Sequence, residues 1–514
     1  MTKLKELCSI VSSLNEDEVK TLQRYLHCFD TVSENHEPKG ERLLNLIIHD
    51  NPAELKLFEK KFTKQAFSML VLRLYDKVLD TLTFDVNIRR SESYSDIVIA
   101  RMTVRKRLLY TQALGSKNQI FENISLYLKI ISTAREFEFF DELLIAMYEL
   151  QNLYAALSKH AEFEELEKEI QHYEEVRNQV KKAFNVYNKF TMERRLNPEN
   201  DGLVSELELV LPKLKTFFLL SKSAQAGWFY YRLLMEYYQA KLNYADGYNA
   251  CAALLKLQQE SPAIRSNMYM AITYKMSAKF SLFLYNFDEA LVSILKAQNF
   301  DKKSKHNIEL SKETEFFANF YRGDYADARF IINELADKSD PDADGFSYSK
   351  YAYFSACCAF LDGPQSEVSK KLAETKEIEK DKDGWNIAVR ILSIMHQIDN
   401  EDFDLADSRI ESMRKHIERT MKEKGIRPRF IIILKTLRDL VNNGFEFEKI
   451  WKTRQNYFEL LSNDDDETHR WRILSPELIR FDVWFEAKAT RSTYQEMYKK
   501  RLEGKREESL SKAI

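Results

Sequence analysis

The sequence predicts an all-α protein built as an array of stacked helical hairpins. Gly and Pro, the residues that most often mark turns, number only 12 and 9 among the 514 residues. Similar patterns of aromatic, small and aliphatic residues also return at intervals of about 40 residues, as expected for repeated helical pairs. One compact core rarely extends over so long a chain, so the length favours several domains or an array. The recurring pattern selects the array.

The clearest hairpin runs through residues 282–297. Its second helix begins after Asn286, which we expect to cap it, and its inner face starts at Phe287. The small residue Ala290 stands where two helix backbones approach closely, and apolar residues follow it at helical spacing. The same pattern returns in residues 323–335 and 402–413.

An aromatic residue three positions before a small one, with apolar residues four and seven positions later, resembles the tetratricopeptide repeat (TPR). The resemblance is specific over about residues 228–413. It implies a right-handed superhelix of helical hairpins, an α-solenoid, with a concave surface suited to peptides. The close-contact positions of nine second helices are Ile124, Leu166, Leu207, Gly247, Ala290, Ala328, Val368, Ala406 and Ile450. Their spacing exceeds the TPR period of about 34 residues, so we expect longer helices.

Three regions follow from this pattern. Residues 1–88 lack the hairpin signature and read as a helical N-terminal unit, in which Asn15 is the predicted cap of one helix. Residues 89–458 form the repeat array. Residues 459–514 are predicted to contain a capping helix, extending from about Pro476 to Tyr498, and a charged tail.

Composition narrows the possible functions. The net charge is −3, with 77 basic and 80 acidic residues interspersed, so no overall field favours nucleic acid or an acidic membrane. The N-terminus lacks the pattern of a secretory signal, and the longest aliphatic run, residues 430–434, is too short to cross a bilayer. An odd set of five cysteines is typical of reduced thiols, which we interpret as small core residues of a cytoplasmic protein.

The sequence shows no catalytic or metal-binding motif. Its nine histidines are scattered, and neither a phosphate-binding loop nor a nucleophile elbow occurs. We therefore expect neither enzymatic activity nor a cofactor.

Aromatic residues are abundant, with 33 Phe and 26 Tyr, and often stand in adjacent pairs. Neighbours on a helix point about 100° apart, so one member of each pair can line a groove while the other packs inside. This reading assigns Tyr238, Phe317, Phe320 and Tyr353 to partner contacts, and Tyr237, Phe316 and Tyr321 to the core. The alternative is that long helices packed on both sides bury nearly all of these rings.

Lys275 and Lys279 lie one turn apart on the first helix of the best repeat, and Arg232 is on the preceding first helix. These cations could face an acidic partner segment, in the manner of the carboxylate clamp of some TPR proteins. That clamp also uses Asn side chains, and Lys279 stands where Asn is expected. The alternative is that both lysines are solvated surface residues.

The combined expectation is a non-catalytic scaffold or adaptor that binds a protein or peptide on its concave surface. The alternative is a TPR-type regulator whose N-terminal unit contacts nucleic acid or another effector while the repeats sense a peptide. A contiguous basic face on residues 1–88 would favour this alternative.

Overall fold

The computed structural model describes residues 2–27, 38–49, 51–84, 95–196, 202–301, 304–338, 345–378, 381, 384–424, 427–463, 466 and 468–511. Over these residues the regular elements are helices, and no strand occurs among them. The predicted all-α class is therefore confirmed. The chain divides into two compact units, Met1–Phe163 and Glu164–Ile514.

The first unit contains eight described helices and the start of a ninth: α1 Thr2–Ser12, α2 Glu16–His27, α3 Lys39–Ile48, α4 Pro52–Glu59, α5 Lys64–Phe84, α6 Asp96–Gly115, α7 Ile120–Glu136, α8 Phe140–Ala156 and α9 His160–Leu196. Helices α1 to α5 share a core of buried Leu, Val and Phe side chains. Asn15 caps α2 as predicted, because its Oδ1 accepts hydrogen bonds from the backbone N–H groups of Asp17 and Glu18. Helices α6, α7 and α8 then pack in succession. The predicted boundary at residue 88 remains a prediction.

The second unit continues α9 and adds the remaining helices: α10 Leu203–Ser221, α11 Ala224–Ala240, α12 Tyr244–Glu260, α13 Asn267–Phe283, α14 Phe287–Phe300, α15 Lys305–Arg322, α16 Tyr325–Ala336, α17 Gly345–Asp362, α18 Gln365–Ala373, α19 Trp385–Asp399, α20 Phe403–Lys424, α21 Pro428–Asn442, α22 Phe447–Thr453, α23 Gln455–Ser462, α24 Phe481–Thr490 and α25 Tyr494–Ser511. From α10 to α22 each helix packs on the next, as in a helical repeat.

The predicted close-contact positions identify the second helices well. Eight of the nine are buried, and Ile124 on α7 is half-buried. Gly247 shows why a small residue is needed, since an added Cβ atom would lie only 2.3 Å from the Phe280 ring. From α12 to α22 the positions fall on every second helix. The alternation of first and second helices changes at α9. Its 37 residues form one continuous helix where the repeat pattern predicts a turn.

The central hairpin forms as predicted from α13 and α14. Ala290 is fully buried and Phe287 is 2% exposed. Asn286 occupies the N-cap position of α14, but its side chain makes no capping hydrogen bond. Its predicted capping interaction is therefore wrong, although the helix begins where expected.

The C-terminal region differs from its prediction. A capping helix was expected from about Pro476, but residues 468–480 are not helical, and two helices, α24 and α25, follow them. We call residues 468–480 the strap. Most of its side chains from Trp471 onward are buried, including Pro476 and Ile479. A chain segment buried on this scale must satisfy its polar groups internally, which helical periodicity alone does not reveal.

Over the described ranges, none of the helices combines the length and the apolar character needed to cross a bilayer. Cys251, Cys357 and Cys358 are buried free thiols, as expected for small core residues, and burial raises the pKa of Cys251 to about 12. Cys28 lies outside the described residues.

Candidate functional site

Three of the four aromatic residues assigned to an open groove lie in the core. Phe317, Phe320 and Tyr353 are 9%, 3% and 2% exposed. The Phe317 ring packs edge-on against Phe354 of α17, with ring centres 5.4 Å apart. The prediction that these three residues line an open groove is wrong, because both members of each adjacent pair are enclosed between α15 and α17 or beneath the strap. The alternative reading, core packing, describes them correctly.

The strap packs on α15 and α17, the helices that carry three of the predicted groove residues. The Tyr353 hydroxyl donates a 2.8 Å hydrogen bond to the Pro476 carbonyl, and Trp471 packs edge-on against Tyr321 of α15. The chain's own segment therefore covers α15, α17 and the start of α21.

A cluster of buried charges fixes the strap in place. All five N–H donors of the Arg429 guanidinium are engaged: two by Glu477, one by Asp482 and two by backbone carbonyls. Arg480 and Arg501 also pair with Asp482, and their charges hold its pKa well below the usual range despite the opposing effect of burial. No charge in this cluster is left to attract a partner.

Tyr238 and Lys275, the next two predicted contacts, have different surroundings. Tyr238 is half-buried beside Tyr237, and burial raises its pKa. The Lys275 ammonium lies 2.7 Å from the Asp301 carboxylate, and both side chains are largely buried. Because Lys275 already has an internal counter-ion, it is not available as a charge for a partner.

Lys279 is the exception among the predicted residues. It is half-buried on α13, and within the described part of the chain its ammonium has no hydrogen-bond or ion-pair partner. Burial lowers its pKa, the nearby Arg232 lowers it further, and Glu236 opposes the shift. Arg232 is itself paired with Glu236 at 2.8 Å. One carboxylate therefore stands near two cations but pairs only with Arg232, which leaves a net positive charge at a partly enclosed position.

Aromatic rings lie near Arg232. Trp228, one helical turn before Arg232 on α11, stacks on Tyr269 of α13 with ring centres 4.1 Å apart. Tyr187, from the second half of α9, packs edge-on against the other side of Trp228 at 5.4 Å. The indole Nε1 of Trp228 is buried without a hydrogen-bond partner, although it is a donor. We call Tyr187, Trp228, Arg232, Tyr269 and Lys279 the aromatic–cationic strip.

The strip combines features that the sequence offered only in part. Arg232 and Lys279 were recognisable as neighbouring cations, but Tyr187, Trp228 and Tyr269 were missed. The positions of Trp228, Arg232 and Glu236 at i, i+4 and i+8 on one helix face were the available signal. The contact of Tyr187 with Trp228 could not be predicted from the sequence, because it depends on α9 continuing without a break.

The strip places apolar rings and cations on neighbouring helices. Rings provide apolar contact area with little loss of side-chain freedom, and two neighbouring cations favour a carboxylate over water. Among the described residues there is no group of three or more His, Cys, Asp or Glu side chains placed to hold a metal ion.

No protein-family model matches this sequence, and no curated protein matches it significantly. Functional assignment for this chain therefore depends on the geometry of its own residues.

Proposed function

We propose that this chain is a non-catalytic, TPR-like scaffold that binds an extended acidic segment of a partner protein or peptide through the aromatic–cationic strip. The observation that carries the proposal is the unpaired Lys279 ammonium. A half-buried cation without a counter-ion costs stability, and such costs persist where a ligand offsets them. A partner carboxylate placed between Lys279 and Arg232 would supply the missing negative charge.

The arrangement of the strip also suggests how a segment would lie. Tyr269, which stacks on the buried Trp228, offers a partly exposed apolar surface near Arg232. A peptide with an aromatic or aliphatic side chain close to an Asp, a Glu or its own C-terminal carboxylate would fit both parts. Selectivity would come from the charge, and affinity mainly from the ring contacts.

Selection from a random peptide library displayed on phage, followed by fluorescence anisotropy with the selected peptides, tests this proposal. We expect the selected peptides to be enriched in acidic residues and to bind less tightly as salt concentration rises. Lys279→Ala should weaken binding about tenfold, the effect of losing one charge-assisted contact of about 1.4 kcal/mol.

Lys275→Ala is the matched control, because the same residue type stands one turn away with its charge already paired to Asp301. Its effect on binding should stay within about twofold, or roughly 0.4 kcal/mol. Peptides without acidic preference, or equal losses from both lysine variants, would contradict the proposed site.

A further inference from the structure

Arg427 and Arg470 meet where the strap begins. Arg427 directly precedes α21, and its Nη2 atom donates a 3.2 Å hydrogen bond to the backbone carbonyl of Arg470. The next residue of the strap is the buried Trp471, and the neighbouring Arg429 binds the carbonyl of His469 at 3.0 Å. The Arg427 guanidinium is therefore held against the backbone of Arg470, and both arginines are half-buried.

These two guanidinium groups lack a counter-ion among the described residues. Within the described part of the chain neither lies at ion-pair distance from a carboxylate, and the Nε atom of Arg470 is buried without a hydrogen-bond partner. The described carboxylates nearby are engaged elsewhere: Glu477 accepts two hydrogen bonds from Arg429, and Asp466 accepts from Thr468 and His469.

The electrostatics agree with this geometry. Burial lowers the pKa of Arg427, the exposed Arg472 lowers it further, and so do Arg429 and Arg470, whereas only Glu477 acts in the opposite direction. Like charges gathered at a partly buried position are costly unless an anion joins them.

An aromatic surface lies beside the cluster. Tyr244 at the start of α12 stacks on Phe283 of α13, with ring centres 4.4 Å apart. Burial raises the pKa of Tyr244, and the charges of Arg470 and Arg472 oppose that shift, as expected for cations near the phenol.

We propose that Arg427 and Arg470 form a binding site for an oxyanion, a phosphate or carboxylate group, at the start of the strap. Each guanidinium presents a planar fork of N–H donors that matches the spacing of two oxygens of such a group. The orphaned Nε of Arg470 would gain an acceptor, and the ligand would remove the repulsion between the two cations. This site is separate from the aromatic–cationic strip and does not depend on the function proposed for it.

Isothermal titration of the full chain with inorganic phosphate and with succinate, in chloride buffer without any peptide, tests the proposal. We expect saturable binding of phosphate at millimolar concentrations or below, and weaker binding of succinate if the natural ligand carries a phosphate group. The reverse order would assign the site to carboxylates. Failure of both anions to bind would overturn the proposal.

Arg427→Gln and Arg470→Gln should each weaken the binding about tenfold or more, while the circular dichroism spectrum stays helical. Arg454→Gln is the matched control, because that guanidinium already pairs with Asp439 at 2.6 Å. An equal loss of binding in the Arg454→Gln variant would indicate a general effect of charge and refute the site.

The acidic residues Asp464 and Asp465 precede Arg470 closely in sequence and lie outside the described residues. The double variant Asp464→Asn/Asp465→Asn tests whether these two aspartates act as an internal counter-ion for Arg427 and Arg470. We expect unchanged phosphate affinity. An increase of about tenfold would show that the chain's own acidic run neutralises the arginines, and would overturn the assignment to an external ligand.

Discussion

Two stretches of the second unit place aromatic and charged side chains together, and they do so with opposite results. Across α15, α17 and α21 the strap covers the rings, and every N–H donor of Arg429 has a partner. Between α9, α11 and α13, Trp228 is buried but Tyr187 and Tyr269 are only partly covered, and Lys279 has no counter-ion among the described residues. The comparison teaches that aromatic content does not distinguish a core from a binding surface. Whether the charges beside the rings are paired distinguishes the core from the candidate binding surface.

The contrast is visible within single pairs of rings. Phe316 and Phe354 stack at 4.7 Å and are both fully buried. Trp228 and Tyr269 stack at 4.1 Å, yet Tyr269 stays half-exposed and Trp228 retains an unsatisfied donor. The first pair is therefore closed off within the core, whereas the second keeps one ring partly accessible.

Removing the central charge of the strap should have the largest effect. Arg429→Met leaves Glu477 and Asp482 buried with too few partners, so we expect a loss of up to about 5 kcal/mol in the free energy of unfolding. Urea denaturation followed by tryptophan emission measures it. Arg454→Met, which breaks an exposed pair with Asp439, should cost less than about 1 kcal/mol. Similar midpoints for the two variants would show that the strap is not held by its buried charges.

Phe317→Ala should come next, at about 3 to 4 kcal/mol, because it opens a cavity between α15 and α17. Phe316→Ala, on the same helix and fully buried, should lose a similar amount. Neither variant should alter peptide binding selectively. A Phe317→Ala protein with unchanged thermal melting and impaired peptide binding would restore the groove that the sequence suggested.

Tyr353→Phe removes only the hydroxyl group that binds the Pro476 carbonyl. We expect it to cost about 1 to 3 kcal/mol, since the carbonyl is left buried without that donor. Tyr351→Phe, on the same helix, is the control for the loss of a hydroxyl group, because the Tyr351 hydroxyl binds Glu313, which also accepts from Lys350. Its thermal midpoint should fall less than that of Tyr353→Phe. The reverse order would mean that the strap contributes little at this point.

The two lysines of α13 should respond with opposite signs. Lys275→Met leaves Asp301 without its counter-ion and should cost about 1 to 2 kcal/mol. Lys279→Met removes an unpaired cation and should leave stability unchanged or raise it by up to about 1 kcal/mol. Thermal melting of both variants at neutral pH decides this. A comparable loss in both would indicate that Lys279 has a partner after all.

The smallest expected effect concerns pH. The difference in the free energy of unfolding between Lys279→Met and the native protein should depend on pH. The pKa of Lys279 is lowered on folding, so its charged form is penalised at every pH below that lowered value. As pH rises through the lowered pKa toward the ordinary value of 10.5, the native lysine loses its proton and the penalty shrinks. The stability advantage of Lys279→Met should therefore decrease from pH 7 to pH 10. A constant difference would contradict the buried-charge explanation.

The sequence predicted local features of the fold reliably. Ala290 and Ala328 were assigned to close helix contacts and are fully buried. Such positions are recognisable because a small residue recurs with a fixed spacing from an aromatic one. The aromatic pairs were ambiguous for a physical reason: a helix position fixes the direction of a ring, but what covers that direction is decided by distant residues.

The strap illustrates what local patterns omit. Trp471 meets Tyr321, and Pro476 meets Tyr353, across gaps of more than a hundred residues. No periodicity connects such partners, and Pro476 with its acidic neighbour Glu477 looked like the start of a helix. The candidate site could be predicted only in part for the same reason. Lys279 was recognisable as a charge, but its lack of a counter-ion among the described residues is a property of the folded chain.

The origin of the strap late in the chain also has a consequence for biosynthesis. Tyr353 leaves the ribosome 123 residues before the Pro476 carbonyl to which it will bind. At translation rates of about 5 to 20 residues per second, that separation lasts roughly 6 to 25 s. Throughout this interval the rings of α15 and α17 have helices on either side but no cover. The nascent chain must carry an exposed apolar face until its own later residues arrive to seal it.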